Sequence, residues 1–218
     1  MALLSLAIYV AAVSSSGILW AHLLPAARMT KAETVILGAS VLALATLLLT
    51  MPGILTLRQA SLLVMTLPVV ALLLKSAKGL KNANIPSNIR HLDVTTGGIL
   101  IFVVLGVAIA PLSLILFHTP LFLQDELGHW ALIVKEMLTW NDLPRLGSVS
   151  ASQFGSHPIL GALFTVNGLA VLGEMHEGLG RVIIFLLSAT GSLFIYEVLR
   201  ARYSAMISVA VASTVHIL

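Results

Sequence analysis

Long apolar runs without alternation are the feature that most constrains this chain. Seven of them approach the roughly 20 residues that a helix needs to cross a bilayer. Backbone polar groups in lipid must pair internally, and these runs do not alternate as barrel strands do. We therefore predict an all-α, polytopic transmembrane helix bundle of about seven spans, at residues 2–24, 33–51, 55–75, 96–118, 157–174, 180–199 and 203–218.

The composition agrees with a lipid environment. Hydrophobic residues make up 58% of the chain and charged residues 10%, whereas a soluble domain has about 25% charged residues. The net charge of +3 comes from basic residues spread thinly between apolar runs, which favours orientation of spans over nucleic-acid binding. We expect the lipid bilayer, and no nucleic acid, as a partner. The absence of cysteine excludes disulfides and cysteine-bound metal.

Two long polar loops predict the orientation. The loop at 76–95 is basic, and the loop at 119–156 holds four of the nine acidic residues. The positive-inside rule places 76–95 in the cytoplasm and, by alternation, 119–156 outside. Seven Lys and Arg residues then lie inside and five outside. The inside set is Arg28, Lys31, Lys75, Lys78, Lys81, Arg90 and Arg181, and the outside set is Arg58, Lys135, Arg145, Arg200 and Arg202.

The outside loop also divides the chain. We predict an N-terminal four-span block at 1–118, an extracytoplasmic loop at 119–156 and a three-span block at 157–218. The first apolar run lacks a preceding basic segment, so we expect a retained anchor and not a cleaved signal peptide. The last run reaches the C-terminus without a closing loop, so we expect the sequence to belong to a longer chain.

Residues 125–140 of the loop predict an amphipathic helix. At 100° per residue, six apolar side chains share one arc, while charged side chains lie opposite and Leu132 and Ile133 interrupt the polar face. Tryptophans at 130 and 140 suit the headgroup region. The pattern predicts a helix lying along the membrane surface. The apolar arc is formed by Leu127, Trp130, Ala131, Val134, Met137 and Leu138.

The polar side of this helix could carry chemistry. Asp125 and Glu126 lie four and three residues before His129, so all three come close on a helix. A carboxylate there can accept a proton or hold a divalent metal cation. In the alternative interpretation the charges are merely solvated and Asp125 is an N-cap. The segment ELGH also resembles the zinc motif H-E-x-x-H, but Asp125 stands where the first histidine would be.

Three segments together resemble a known family. The stretch DELGHWALIVKEMLTWNDLP resembles the DEFSHW-type loop of bacterial proteins similar to GT-C glycosyltransferases. HPILGALFTVNGLAVLGE, at 157–174, occupies the place of the family's proline motif, although Ile159 replaces its second proline. GLGRVIIFLLSATGSLFIYEVLR is similar to the family span with an early arginine, matched by Arg181. The resemblance covers roughly 120–203.

The resemblance implies a function. The chain would transfer a sugar from a polyprenyl-phosphate-linked donor to an extracytoplasmic acceptor, in the cell envelope at a bacterial inner membrane. Asp125 would be the catalytic or metal-binding carboxylate, and Glu126 would assist it. A non-catalytic multi-span protein, such as a transporter or assembly subunit, stays open as the alternative. The substrate-binding candidates are His129, Lys135, Arg145, His157 and Arg181.

A few further polar and small residues carry structural predictions. Asn167 lies within an apolar run, where a polar side chain usually bonds across to another helix. Gly161, Gly168 and Gly173 are interpreted as close-packing sites. Glu197 lies near two arginines and is predicted to form a local ion pair with Arg200 or Arg202.

Overall fold

The computed structural model describes residues 1–24, 29–78, 131–144 and 159–217, and within them it is all-helical. This confirms the all-α part of the predicted fold class. The described helices are α1 Ala2–Leu23, α2 Lys31–Thr50, α3 Leu57–Lys78, α4 Leu132–Trp140, α5 Ile159–Leu169, α6 Glu177–Arg200 and α7 Ala205–Ile217.

Four of these helices, α1, α2, α3 and α6, are long and apolar enough to cross a membrane. The predicted spans at 157–174 and 203–218 correspond to shorter helices, α5 with 11 residues and α7 with 13. Helices of that length do not by themselves reach the roughly 20 residues of a full crossing. The predicted span at 96–118 lies outside the described residues, so the prediction of seven spans is not confirmed.

Helices α1 and α2 approach each other through glycine. A Cβ atom on Gly17 would overlap the backbone carbonyl of Thr34, and one on Gly38 would overlap that of Val13. Small residues at such positions let two helix backbones come together, as is common for helices in lipid. The two helices therefore form a tight antiparallel pair.

One apolar core cluster joins six of the described helices, α1 to α6. It contains buried side chains from each of them: Ala12, Leu42, Met65, Met137, Leu163 and Ile183, among others. Residues from both sides of the predicted division at 119–156 thus pack together. α7 packs separately on α6, through Tyr196 and Ala212 among others.

The bundle has two ends, which we name by one residue each. At the Arg58 end, α1 and α3 begin and α2 and α5 end. The Ser5 hydroxyl donates to the Gly168 carbonyl at 2.7 Å, and the Arg58 Nε donates to the Ala170 carbonyl at 3.1 Å. At the Lys31 end, α2 begins and α6 ends, with Glu197 facing Thr30.

This arrangement corrects part of the predicted orientation. Strict alternation puts residue 58 outside and residue 174 inside, yet Arg58 bonds directly to Ala170 and Val171. The prediction that residues 58 and 174 lie on opposite sides is therefore wrong. Because α6 starts at the Arg58 end and finishes at the Lys31 end, Arg200 and Arg202 lie at the opposite end of the bundle from Arg58.

Three local predictions are corrected as well. Ile133, predicted to interrupt the polar face of a surface helix, is only 6% exposed and belongs to the core. Gly161 is exposed, and no atom of the described residues lies within 4 Å of its Cβ position, so among these residues it is not a close-packing site. Glu197 faces the first turn of α2, while the Arg200 Nη1 donates to the Tyr203 carbonyl at 2.8 Å.

Candidate functional site

The described residues contain two of the seven predicted site residues, Lys135 and Arg181. Lys135 lies on α4 with its side chain exposed. Arg181 lies in the second turn of α6 and is only 4% exposed. The two cations occupy different helices and opposite surroundings. The other five predicted site residues lie outside the described residues: Asp125, Glu126, His129, Arg145 and His157.

The predicted surface helix is described from residue 131 onward. Its apolar arc is partly confirmed, because Ala131, Val134 and Met137 are buried. Lys135 and Trp140 are exposed, as expected for the polar side and the headgroup region. The helix packs against α5 and α3. This part of the loop is thus fastened to the helix bundle.

Asn141 makes that attachment. It ends α4 in the left-handed conformation, with φ of 54° and ψ of 37°, which asparagine tolerates better than most residues. Its carbonyl accepts a hydrogen bond from the Leu57 N–H at 3.0 Å. Its Oδ1 accepts one from the Arg58 N–H at 2.7 Å. A residue of the loop thereby caps the first turn of α3, whose N–H groups have no partner within the helix.

Arg58 extends the same junction to α5. Its Nε donates to the Ala170 carbonyl at 3.1 Å, and its Nη2 donates to the Val171 carbonyl at 3.4 Å. Gly173, with φ of 76°, lies against the guanidinium: a Cβ there would be 2.7 Å from the Arg58 Cζ. A cation suits this position because carbonyls at a helix C-terminus carry partial negative charge. We call Arg58, Asn141, Ala170, Val171 and Gly173 the junction.

Sequence reasoning missed the junction. From the sequence, Arg58 is interpreted only as one of the outside basic residues. The available signals were local: an Arg-Gln pair opening a long apolar helix, and Trp-Asn-Asp-Leu-Pro, which is typical of a helix end. Neither signal shows that residues 58, 141 and 170 meet.

Polar side chains continue from the junction into the bundle. The Thr46 hydroxyl donates to the Asn167 Oδ1 at 3.0 Å, which confirms that Asn167 bonds across to another helix. Within the described part of the chain, the Asn167 Nδ2, the Tyr9 hydroxyl and the Thr165 hydroxyl are buried without a hydrogen-bond partner. Gly168 packs against Tyr9 and Ile183, as its interpretation as a close-packing site predicts.

The start of α6 completes this end of the bundle. The Nδ1 of His176 accepts a hydrogen bond from the Leu179 N–H at 3.1 Å and so caps the helix. Glu177 and the buried Arg181 follow within the first two turns. The described residues contain no cluster of three or more His, Asp or Glu side chains that could hold a metal ion. The predicted metal ligand Asp125 lies outside this part of the chain.

Comparisons with protein-family models, curated proteins and solved structures found no match for this chain.

Proposed function

We propose that the chain is a multi-pass membrane protein with its Lys31 end in the cytoplasm and its Arg58 end outside. The support is the distribution of basic residues. The Lys31 end carries Lys31, Lys75, Lys78, Arg200 and Arg202, and the Arg58 end carries Arg58, Lys135 and Arg181. Relative to the sequence prediction, Arg181 moves to the outside set, and Arg200 and Arg202 move to the inside set. The number of Lys and Arg residues changes from seven inside and five outside to eight inside and four outside.

In this orientation α5 is a half-span, which means a helix that crosses only half of the bilayer. The chain leaves the Arg58 end after Asn141 and is back at the same end at Ala170. Asn141 and Ala170 both bond to the first turn of α3, and 28 residues separate them. Two helical crossings need about 40 residues. With 11 residues, α5 is about 16 Å long, roughly half of the 30 Å hydrocarbon core.

For the activity, we propose transfer of a sugar from a polyprenyl-phosphate-linked donor to an acceptor outside the membrane, as the GT-C resemblance implies. The observation that supports this function is the attachment of the loop through Asn141. A polar loop fastened to the bundle can hold reacting groups at a set height above the lipid, and precise positioning is a large part of catalysis. A freely moving loop would give no such support.

The role proposed for each site residue follows from the charge or hydrogen-bonding groups of its side chain. Asp125 is the general base or the ligand of a divalent cation, and Glu126 assists it. The donor's phosphate requires cations or N–H donors near the membrane face. His129, His157 and Arg145 are proposed for substrate binding from their places in the loop. Lys135 and Arg181 are proposed from their places on α4 and α6, two helices that reach the Arg58 end.

The test is Asp125→Asn in the full-length protein. Membranes containing it are supplied in turn with undecaprenyl phosphate carrying radiolabelled glucose, mannose or N-acetylglucosamine. The change removes the charge and keeps the shape, so transfer should fall about a hundredfold or more. Asp142→Asn is the matched control, because the Asp142 Oδ1 already accepts a hydrogen bond from the Leu143 N–H and an amide oxygen can do the same.

The opposite interpretation makes a different prediction. If Asp125 is only an N-cap, asparagine replaces it well, and transfer by Asp125→Asn equals that of the unaltered protein. That result would remove the proposed role of Asp125. A full-length protein that transfers none of these sugars, in membranes where a known transferase does, would favour the non-catalytic alternative.

A further inference from the structure

An apolar groove runs between α1, α2 and α3, away from the junction. Its volume is about 530 Å³, and all of its lining residues except Ser16 are apolar. The walls include Trp20 of α1, Leu42 and Leu48 of α2, and Pro68 and Ala71 of α3. Its size falls within the range of about 300–1,000 Å³ that is usual for ligand sites.

We propose that this groove holds one hydrocarbon chain of an anionic glycerophospholipid, whose phosphate lies beside Lys75. All three helices that form its walls are long and apolar enough to cross a membrane, so in the proposed orientation the groove faces the bilayer. Leu48 and Leu67 on its walls are more than half exposed. An empty groove would lose the dispersion contacts of its lining, and water would find almost no polar partner there.

The position of Lys75 selects the headgroup. Val64, Pro68, Ala71 and Lys75 follow each other on α3 at intervals of four, three and four residues, which places them on one stripe of the helix. The first three line the groove. The Lys75 side chain is exposed, and it lies beyond the groove toward the Lys31 end, where the basic residues of the described chain are concentrated. A cation at this height attracts an anionic lipid headgroup.

The groove contains its own reporter. Trp20 lines it, and Trp130 and Trp140 are the two other tryptophans. In the 218-residue chain with Trp130→Phe and Trp140→Phe, Trp20 is the single tryptophan, and its fluorescence reports lipid chains at this site. Nanodiscs of phosphatidylcholine are doped with phosphatidylglycerol that carries brominated chains. Bromine quenches tryptophan on contact, so quenching should exceed that by brominated phosphatidylcholine at the same mole fraction.

Two variants test separately the binding of the lipid's hydrocarbon chain and the binding of its headgroup. Ala71→Phe fills the groove from α3 and should reduce the quenching that depends on phosphatidylglycerol. Ala11→Phe is its matched control, because Ala11 is exposed on α1 and does not line the groove. Lys75→Gln should lower the preference for phosphatidylglycerol about fivefold, the effect of about 1 kcal/mol per basic residue near an anionic surface. Arg202→Gln, an exposed cation at the same end, should leave that preference unchanged.

Either of two results would overturn the proposal. One is equal quenching in Ala71→Phe and Ala11→Phe, which would mean that no lipid chain occupies the groove. The other is an undiminished phosphatidylglycerol preference in Lys75→Gln, which would mean that Lys75 does not bind the headgroup. Neither readout depends on sugar transfer, so a negative result for the lipid site leaves the proposed activity untouched, and the reverse also holds.

Discussion

The two ends of the bundle are held together in different ways. At the Arg58 end, hydrogen bonds join residues far apart in sequence, such as Asn141 to Arg58 and Arg58 to Ala170. At the Lys31 end, local hydrogen bonds close the first turn of α2. The Thr30 N–H donates to the Glu33 carboxylate at 2.6 Å, and the Glu33 N–H donates to the Thr30 hydroxyl at 3.2 Å. Long-range order at that end comes from glycine-mediated packing of α1 on α2.

The difference indicates how each end should respond to change. Loss of a local cap loosens one helix turn, because neighbouring contacts keep the helix in place. Loss of a long-range hydrogen bond loosens the contact between two segments that are distant in sequence, so its effect should extend to both. Overpacking at the glycines acts on the backbones of two helices at once and should cost the most.

The largest effect is expected for Gly38→Leu. The new side chain would overlap the Val13 carbonyl and the Gly17 backbone, so α1 and α2 must move apart. Overpacking of this kind costs about 3 kcal/mol. The free energy of unfolding in mixed detergent micelles measures it. Gly161→Leu is the matched control, because Gly161 is exposed and a Cβ there meets no atom of the described residues within 4 Å. An equal loss in both variants would show that the α1–α2 approach is not a tight contact.

A smaller effect is expected for Asn141→Ala. This change removes the acceptor of the Arg58 N–H and disfavours the left-handed conformation, together costing about 2 kcal/mol. Asn141→Gly keeps the conformation and loses only the acceptor, so it should cost about 1 kcal/mol. Hydrogen exchange should rise at the first turn of α3 and also along α4. Exchange that rises in α4 alone would mean that Asn141 does not couple the two helices.

The smallest effect is expected for Thr30→Ala. Loss of the capping box should cost about 1 kcal/mol. Because the capping-box hydrogen bonds are local, hydrogen exchange should rise in the first turn of α2, including Glu33 and Thr34, and at the end of α6, where Glu197 faces Thr30. The Thr30→Ser variant keeps a hydroxyl and should behave like the unaltered protein. An exchange increase that spreads to α3 and α4 would remove the distinction between the two ends.

The positions of the helices were easier to predict from the sequence than the contacts between them. The runs at 2–24, 33–51 and 180–199 lie within a few residues of α1, α2 and α6, because the length of an apolar run limits the length of a span. Hydropathy could not show that 157–174 ends beside Arg58, since an apolar run has the same hydropathy whether it crosses the bilayer or turns back. That distinction required the contact between Arg58 and Ala170.

The site was predictable only in part. Burial of Val134 and Met137 followed from the helical period of the loop, and Asn167 found the partner that a polar group in an apolar run requires. Ile133 departs from the pattern because α4 packs into the core and not only onto a surface. The roles of Arg58 and Asn141 depend on contacts across 83 residues or more, which no local pattern encodes. The roles of Asp125 and Glu126 stay predictions.

The most direct test of the central claim is the side of the membrane on which the turns before and after α6 lie. The chain has no cysteine, so Glu174→Cys and Ala201→Cys, both at exposed positions, each provide a unique label site. A membrane-impermeant maleimide is applied to intact cells and to inverted vesicles. We predict that residue 174 is labelled only from outside and residue 201 only from the cytoplasm. The reverse pattern would put the Arg58 end in the cytoplasm and would contradict the proposed orientation of the bundle.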